Sequence, residues 1–172
     1  MPLVFQYGSN LSSDRINSAQ RLCGAARIVG LARTVERFHL DFTVWSRQNG
    51  CAAADLIETP AGRSIWGILY DIPPERVFDD AAAPGVRSLD AIEGGNYRRE
   101  EVAVCTATGP VGGPVLTYRV RERKSGVRTE LGYVAHLFRG LREHAAPEEY
   151  VEYAKARVLL NNPALAGSLV AL

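Results

Sequence analysis

The sequence predicts an α+β fold: a small mixed β-barrel of five to seven strands with flanking α-helices, formed by residues 1–172 as one domain. Two features predict the sheet. Short apolar or alternating runs recur as far as Val120, joined by hairpin turns or short helical stretches. Sixteen glycines and nine prolines supply the turns. The helices follow from the tail, where residues 132–143 and 147–160 space their apolar side chains three and four apart.

In chain order, Leu3 to Gln6 reads as a short buried strand. The turn Tyr7-Gly8-Ser9-Asn10-Leu11 follows, then a short helix over Ser12 to Ala19 capped by Ser12 or Ser13. Ala26 to Val35 suits a bent strand. His39 to Val44 alternates at period two and ends in the turn Arg47-Gln48-Asn49-Gly50. Cys51 to Glu58 and Ser64 to Ile72 are expected to form a hairpin closed by Thr59 to Arg63. Its second arm is apolar on both faces, so it belongs at the centre of a sheet, with Gly67 marking a bend or a close approach. Helix is expected after Asp71 and again from Arg87 to Ile92, the second ended by Gly94-Gly95. Tyr97 to Thr106 reads as one strand, and Val115 to Val120 pairs back onto it. Pro147-Glu148-Glu149 opens the last long helix.

Composition narrows the function classes. Twenty basic and nineteen acidic residues nearly cancel. The basic run Arg119 to Lys124 has no interleaved aromatics, so it reads as a solvated strand end, and nucleic acid is not an expected partner. No apolar stretch reaches the length of a membrane span, and the N-terminus lacks the pattern of a signal peptide. Cys23, Cys51 and Cys105 form neither a disulfide framework nor a CxxC pair; they read as core thiols in a cytoplasmic protein. The oligomeric state is left open, a homodimer included.

The chemistry is reached by elimination. His39, His136 and His144 have no metal-ligand spacing, so no metal is expected. Ser9 does not sit in a GxSxG elbow, His136 is not placed by spacing as its base, and no GxxxxGK[ST] loop is present. The Gly8-Ser9-Asn10 turn between strand and helix can aim backbone N–H groups at an anion or a polarised carbonyl. Asn10 can also serve simply to support a left-handed turn. Glu93 stands out among the carboxylates. At a helix C-terminus its charge gains nothing from the dipole, and enclosure would raise its pKa towards the range useful for proton transfer. From position alone, a solvent-exposed glutamate beside a glycine cap is the better explanation.

Tyr7-Gly8-Ser9-Asn10-Leu11 resembles the signature of the gamma-glutamylcyclotransferase-like family. Leu89-Asp90-Ala91-Ile92-Glu93-Gly94, with Tyr97 shortly after, resembles that family's segment around its catalytic glutamate. Trp66-Gly67-Ile68-Leu69-Tyr70 is similar to its "WG" strand, and Tyr133 followed by Pro147-Glu148-Glu149-Tyr150 has the spacing of its tail. The resemblance implies a small barrel, Glu93 as the catalytic acid and base, and a substrate cradle formed by Tyr7, Gly8, Ser9, Asn10 and Leu11. It also implies that Tyr97 and Tyr133 lie at the pocket; from the residues alone, both are equally core or rim aromatics. Arg98 and Arg99 lie close to Glu93 in sequence; one of them could pair with a substrate carboxylate, and as neighbours on a strand at most one can face the pocket.

The implied reaction is cyclisation of the gamma-glutamyl group of a small amino acid or peptide conjugate to 5-oxoproline, releasing the amine without any cofactor. Two alternatives stand beside it: a gamma-glutamyl amine or acyl biosynthetic intermediate as substrate, or a metabolite-binding domain without catalysis. The Gly95-Asn96 link and the segment Arg123 to Glu130 depart from the family pattern, and both can alter the substrate.

Overall fold

The computed structural model describes residues 1–170. Its main sheet has seven strands: β1 (Leu3–Gln6), β2 (Arg27–Thr34), β5 (Trp66–Asp71), β6 (Tyr97–Glu101), β7 (Val104–Thr106), β8 (Gly109–Pro110) and β9 (Val115–Val120). A second, two-stranded sheet holds β3 (Phe38–Ser46) and β4 (Cys51–Glu58). The short helices α1 (Ser13–Ile16), α2 (Pro74–Val77) and α3 (Leu89–Glu93) lie between strands. The longer α4 (Leu131–Glu143) and α5 (Glu148–Asn161) follow β9, and α6 (Ala166–Leu169) ends the described chain.

The large sheet runs β6-β9-β1-β5-β2-β7-β8. β1 pairs antiparallel with β5 and parallel with β9, so the sheet is mixed. Its two flanks are joined by Val102-Ala103. The Val102 N–H donates to Val115 O at 2.9 Å on one side, and the Val35 N–H donates to Ala103 O at 2.9 Å on the other. Tyr97 to Thr106 is therefore two strands rather than the one expected, and the bend between them curls the sheet into a half-barrel. The expected α+β fold, a curled mixed sheet with flanking helices, is the fold observed.

The expected hairpin between Cys51–Glu58 and Ser64–Ile72 does not form. β4 pairs instead with β3 across the Arg47–Gly50 turn, from Ser46↔Cys51 to Phe38↔Glu58. β5 lies at the sheet's centre between β1 and β2, as its two-sided apolar character requires. Alternation shows that a segment is a strand, but it does not choose the partner. Thr59 to Arg63 folds back on Phe38 through paired backbone bonds of 2.9 and 3.0 Å.

Close approaches fix two glycines. A Cβ on Gly67 would lie 2.4 Å from the Gln6 carbonyl oxygen and 2.5 Å from the Phe5 ring. A Cβ on Gly140 would lie 2.3 Å from the Leu11 carbonyl carbon, so α4 rests directly on the N-terminal turn. Val4, Phe5, Leu40, Ile68, Tyr70 and Phe138 are fully buried in the core. Burial of each such side chain contributes about 1.5–3 kcal/mol. Cys23 is exposed rather than a core thiol, and its φ of 51° places it in a left-handed turn.

Candidate functional site

A cavity of about 380 Å³ opens where β1 ends. Tyr7, Gly8, Ser9 and Asn10 form one wall and the Ile92–Tyr97 segment forms another. Ala53 and Ala54 of β4 and Tyr133 of α4 lie between them, while Trp45 to Asn49, at the tip of the β3–β4 hairpin, line the mouth. Leu11 is not part of the lining; its fully buried side chain sits under α4, where it anchors the turn.

The turn is right-handed. Ser9 to Leu11 make a short 3₁₀ turn, so Asn10 does not adopt the left-handed conformation considered from the sequence. Its side chain does something else: Nδ2 donates to Glu93 Oε1 at 3.1 Å and to Gln6 Oε1 at 3.2 Å. The backbone N–H groups of Gly8 and Asn10 meet no protein acceptor among the described residues. Gly8 is closely packed. A Cβ there would come within 3.0 Å of the Tyr133 hydroxyl and 3.2 Å of Ala54 Cβ.

The tyrosine hydroxyls brace this frame. Tyr7 donates to the Tyr118 carbonyl at 2.6 Å and Tyr97 donates to the Ala54 carbonyl at 2.7 Å. The Tyr133 oxygen accepts from the Ala54 N–H at 2.9 Å. Burial raises the pKa of all three phenols, so they stay protonated at neutral pH.

Glu93 ends α3, a five-residue helix pinned at its first turn. At its start, the Ser88 hydroxyl accepts from the Ala91 N–H at 3.0 Å and donates to Asp79 Oδ1 at 2.7 Å. One turn before Glu93, Asp90 accepts from the Tyr118 hydroxyl at 2.8 Å and pairs with Arg99. The Glu93 side chain is 15% exposed. Burial raises its pKa above the ordinary carboxylate value; Arg21, the Asn10 hydrogen bond and Arg15 partly oppose that rise. The site therefore holds a carboxyl group suited to exchanging protons nearer neutrality than a surface glutamate.

Neither Arg98 nor Arg99 lines the cavity. Arg98 pairs with Glu100, and Arg99 pairs with Asp90 while lying over the Phe78 ring at 4.6 Å. Two other arginines line the cavity: Arg47 at the mouth, and Arg21 inside, 3.8 Å from Glu93 Oε1. Arg21 lies in the turn after α1, folded back by bonds from the Arg21 N–H to Ser18 O at 3.0 Å and from the Leu22 N–H to Ile16 O at 3.1 Å. That stretch carries no apolar period or motif, so nothing local in the sequence marks it. His136 is likewise outside the lining.

Fold and cavity together define a class: an α+β half-barrel with a polar interior pocket built around one carboxyl group. The chain belongs to the family described as gamma-glutamyl cyclotransferase, AIG2-like, whose sequence model matches residues 4–133. No curated protein matches the chain by sequence. A solved structure named gamma-glutamyl cyclotransferase is 26% identical, with a TM-score of 0.74 over 90% of this chain and 86% of its own. The crystal structure of an uncharacterised Homo sapiens protein gives the same values. YkqA from Bacillus subtilis shares the fold, with 22% identity and a TM-score of 0.71 over 91% of this chain and 54% of its own. Among the described residues, no helix is long and apolar enough to cross a membrane.

Proposed function

We propose that the protein cyclises the gamma-glutamyl group of a small gamma-glutamyl amino acid or peptide to 5-oxoproline, with Glu93 as acid and base. The observation that carries this reading is a largely buried Glu93 carboxyl facing the Gly8–Asn10 turn across one polar cavity. Family membership and the similarity to a structure named gamma-glutamyl cyclotransferase support it.

The chemistry fits the geometry. Glu93 takes a proton from the substrate's α-ammonium, and the freed amine attacks the γ-carbonyl carbon. A C–N bond forms, closing the five-membered ring, and the original amide C–N bond breaks. Two protons leave the α-nitrogen, and both finish on the departing amine as its ammonium. One carboxyl can carry them in turn. The free N–H groups of Gly8 and Asn10 suit the oxyanion that develops on the γ-carbonyl. The tyrosine frame holds a flexible chain folded, which supplies proximity.

The mouth favours an amino-acid leaving group over a simple amine. Trp45 presents an indole that is 45% exposed, and Arg47 is an exposed cation beside it with no ion pair among the described residues. An apolar side chain and a carboxylate on the leaving group would meet both. Release of 5-oxoproline from a panel of gamma-glutamyl amino acids and amines tests the reading, with Glu93→Gln as control. Turnover lost in that variant supports it; metabolite binding without turnover by the unaltered protein overturns it in favour of a binding domain.

A further inference from the structure

Arg21 is unusual for a buried cation. Its side chain is 7% exposed, and it makes no hydrogen bond among the described residues. Nη1 is buried without a partner, and the Glu93 oxygen at 3.8 Å is beyond hydrogen-bonding reach. A guanidinium carries five N–H donors, and leaving buried donors unmet is costly. An arginine serving only the fold would spend those donors on carbonyls, as Arg157 does on Leu40 O at 2.6 Å.

Gln6 shows the same deficit. Its Nε2 is buried and unpaired while its Oε1 accepts from Asn10. Both residues line the cavity that Glu93 faces. The donors left over are thus a cationic fork and an amide N–H₂, beside the carboxyl that must reach the substrate's α-amine. In a gamma-glutamyl compound, the α-amine and α-carboxylate sit on the same carbon. If the amine lies against Glu93, the carboxylate lies next to it, on the side where these donors are. A guanidinium matches a carboxylate's two oxygens.

We propose that Arg21, assisted by Gln6, binds the substrate's α-carboxylate, and so selects gamma-glutamyl groups over chains that lack that carboxylate. This rests on the cyclotransferase reading above. It places the head-group charge on side chains rather than on the N-terminal turn, which is left free for the γ-carbonyl.

The test compares gamma-glutamylalanine with 4-aminobutanoylalanine, which lacks only the α-carboxylate and would close to 2-pyrrolidinone. Alanine release is read for both. The unaltered protein is expected to prefer the first by about 100-fold or more in kcat/KM. Arg21→Met should remove most of that preference by slowing gamma-glutamylalanine alone, and Arg21→Lys should retain part of it. Equal loss on both substrates would overturn the assignment, because it would mean that Arg21 acts only through Glu93; so would equal turnover of both by the unaltered protein. If neither substrate turns over, the cyclotransferase reading fails, and the carboxylate site is judged by thermal shift with 5-oxoproline against 2-pyrrolidinone. Stabilisation by 5-oxoproline alone, lost in Arg21→Met, upholds the site; equal shifts or none overturn it. If Arg21→Met does not fold, Gln6→Met replaces it in both arms: a reduced preference upholds the assignment and an unchanged one overturns it.

Discussion

Asn10 Nδ2 donates to Glu93 Oε1 at 3.1 Å, joining the N-terminal turn to the end of α3 across 83 residues of sequence. This bond holds the two walls of the cavity in register. It also favours the ionised carboxylate, against the burial that disfavours it.

Glu93→Gln should lower 5-oxoproline release by about 10²–10⁴-fold. It should also stabilise the fold at neutral pH. Glu93's folded pKa is raised, so its contribution is fully present below the unfolded pKa and is lost as pH rises through the folded value. Glutamine does not ionise and avoids that loss. The melting temperature of the variant should exceed that of the unaltered protein at pH 7, with the gap closing as pH falls below the ordinary carboxylate range. For the unaltered protein, the acidic limb of kcat/KM should lie above that range.

Asp90→Ala should slow turnover without direct contact with substrate. It releases the Tyr118 hydroxyl and Arg99, which hold α3 one turn before Glu93. Misplacement of Glu93 can lower kcat by up to about 100-fold. The partly exposed ion pair contributes under about 1 kcal/mol, and the lost acceptor of the buried Tyr118 hydroxyl about 1–3 kcal/mol. Urea unfolding should show that loss, while kcat falls further than destabilisation of a still-folded protein explains.

Gly140→Ala tests the seating of α4 on the turn. A Cβ 2.3 Å from the Leu11 carbonyl carbon cannot be accommodated without moving the helix or the turn. Overpacking of this kind costs about 1–3 kcal/mol. Chemical denaturation should show that loss, and KM should rise because the turn itself shifts.

Arg47→Gln should discriminate leaving groups. With gamma-glutamylalanine, KM should rise about two- to fivefold at low ionic strength and less in high salt. With gamma-glutamylethylamine, which has no carboxylate on the leaving side, KM should stay unchanged. Equal effects on both would remove Arg47 from leaving-group recognition.

Much of this architecture is local and therefore readable from the sequence. β1 is apolar on both faces and β5 likewise, which puts them in the interior of a sheet wherever they pair. Pro147-Glu148-Glu149 starts α5 because proline and two acids suit a helix N-terminus. Glu93 before Gly94 marks a helix end, and there the φ of Gly94 is 57°. Family resemblance, carried by the Tyr7–Leu11 turn and the Leu89–Gly94 segment, pointed to both walls of one cavity.

Tertiary structure alone decided partners and satisfaction. Period-two alternation cannot say that β4 pairs with β3, nor that Tyr97 to Thr106 bends at Val102 to join both flanks of the sheet. Burial and hydrogen bonding are properties of the assembled chain, so no sequence window distinguishes Arg99, hydrogen-bonded to Asp90, from Arg21, enclosed beside Glu93 without a hydrogen bond. Sequence by itself determined the element types and the family; which charged groups face the cavity was settled when distant segments packed together, because only packing removes the water that would otherwise satisfy them.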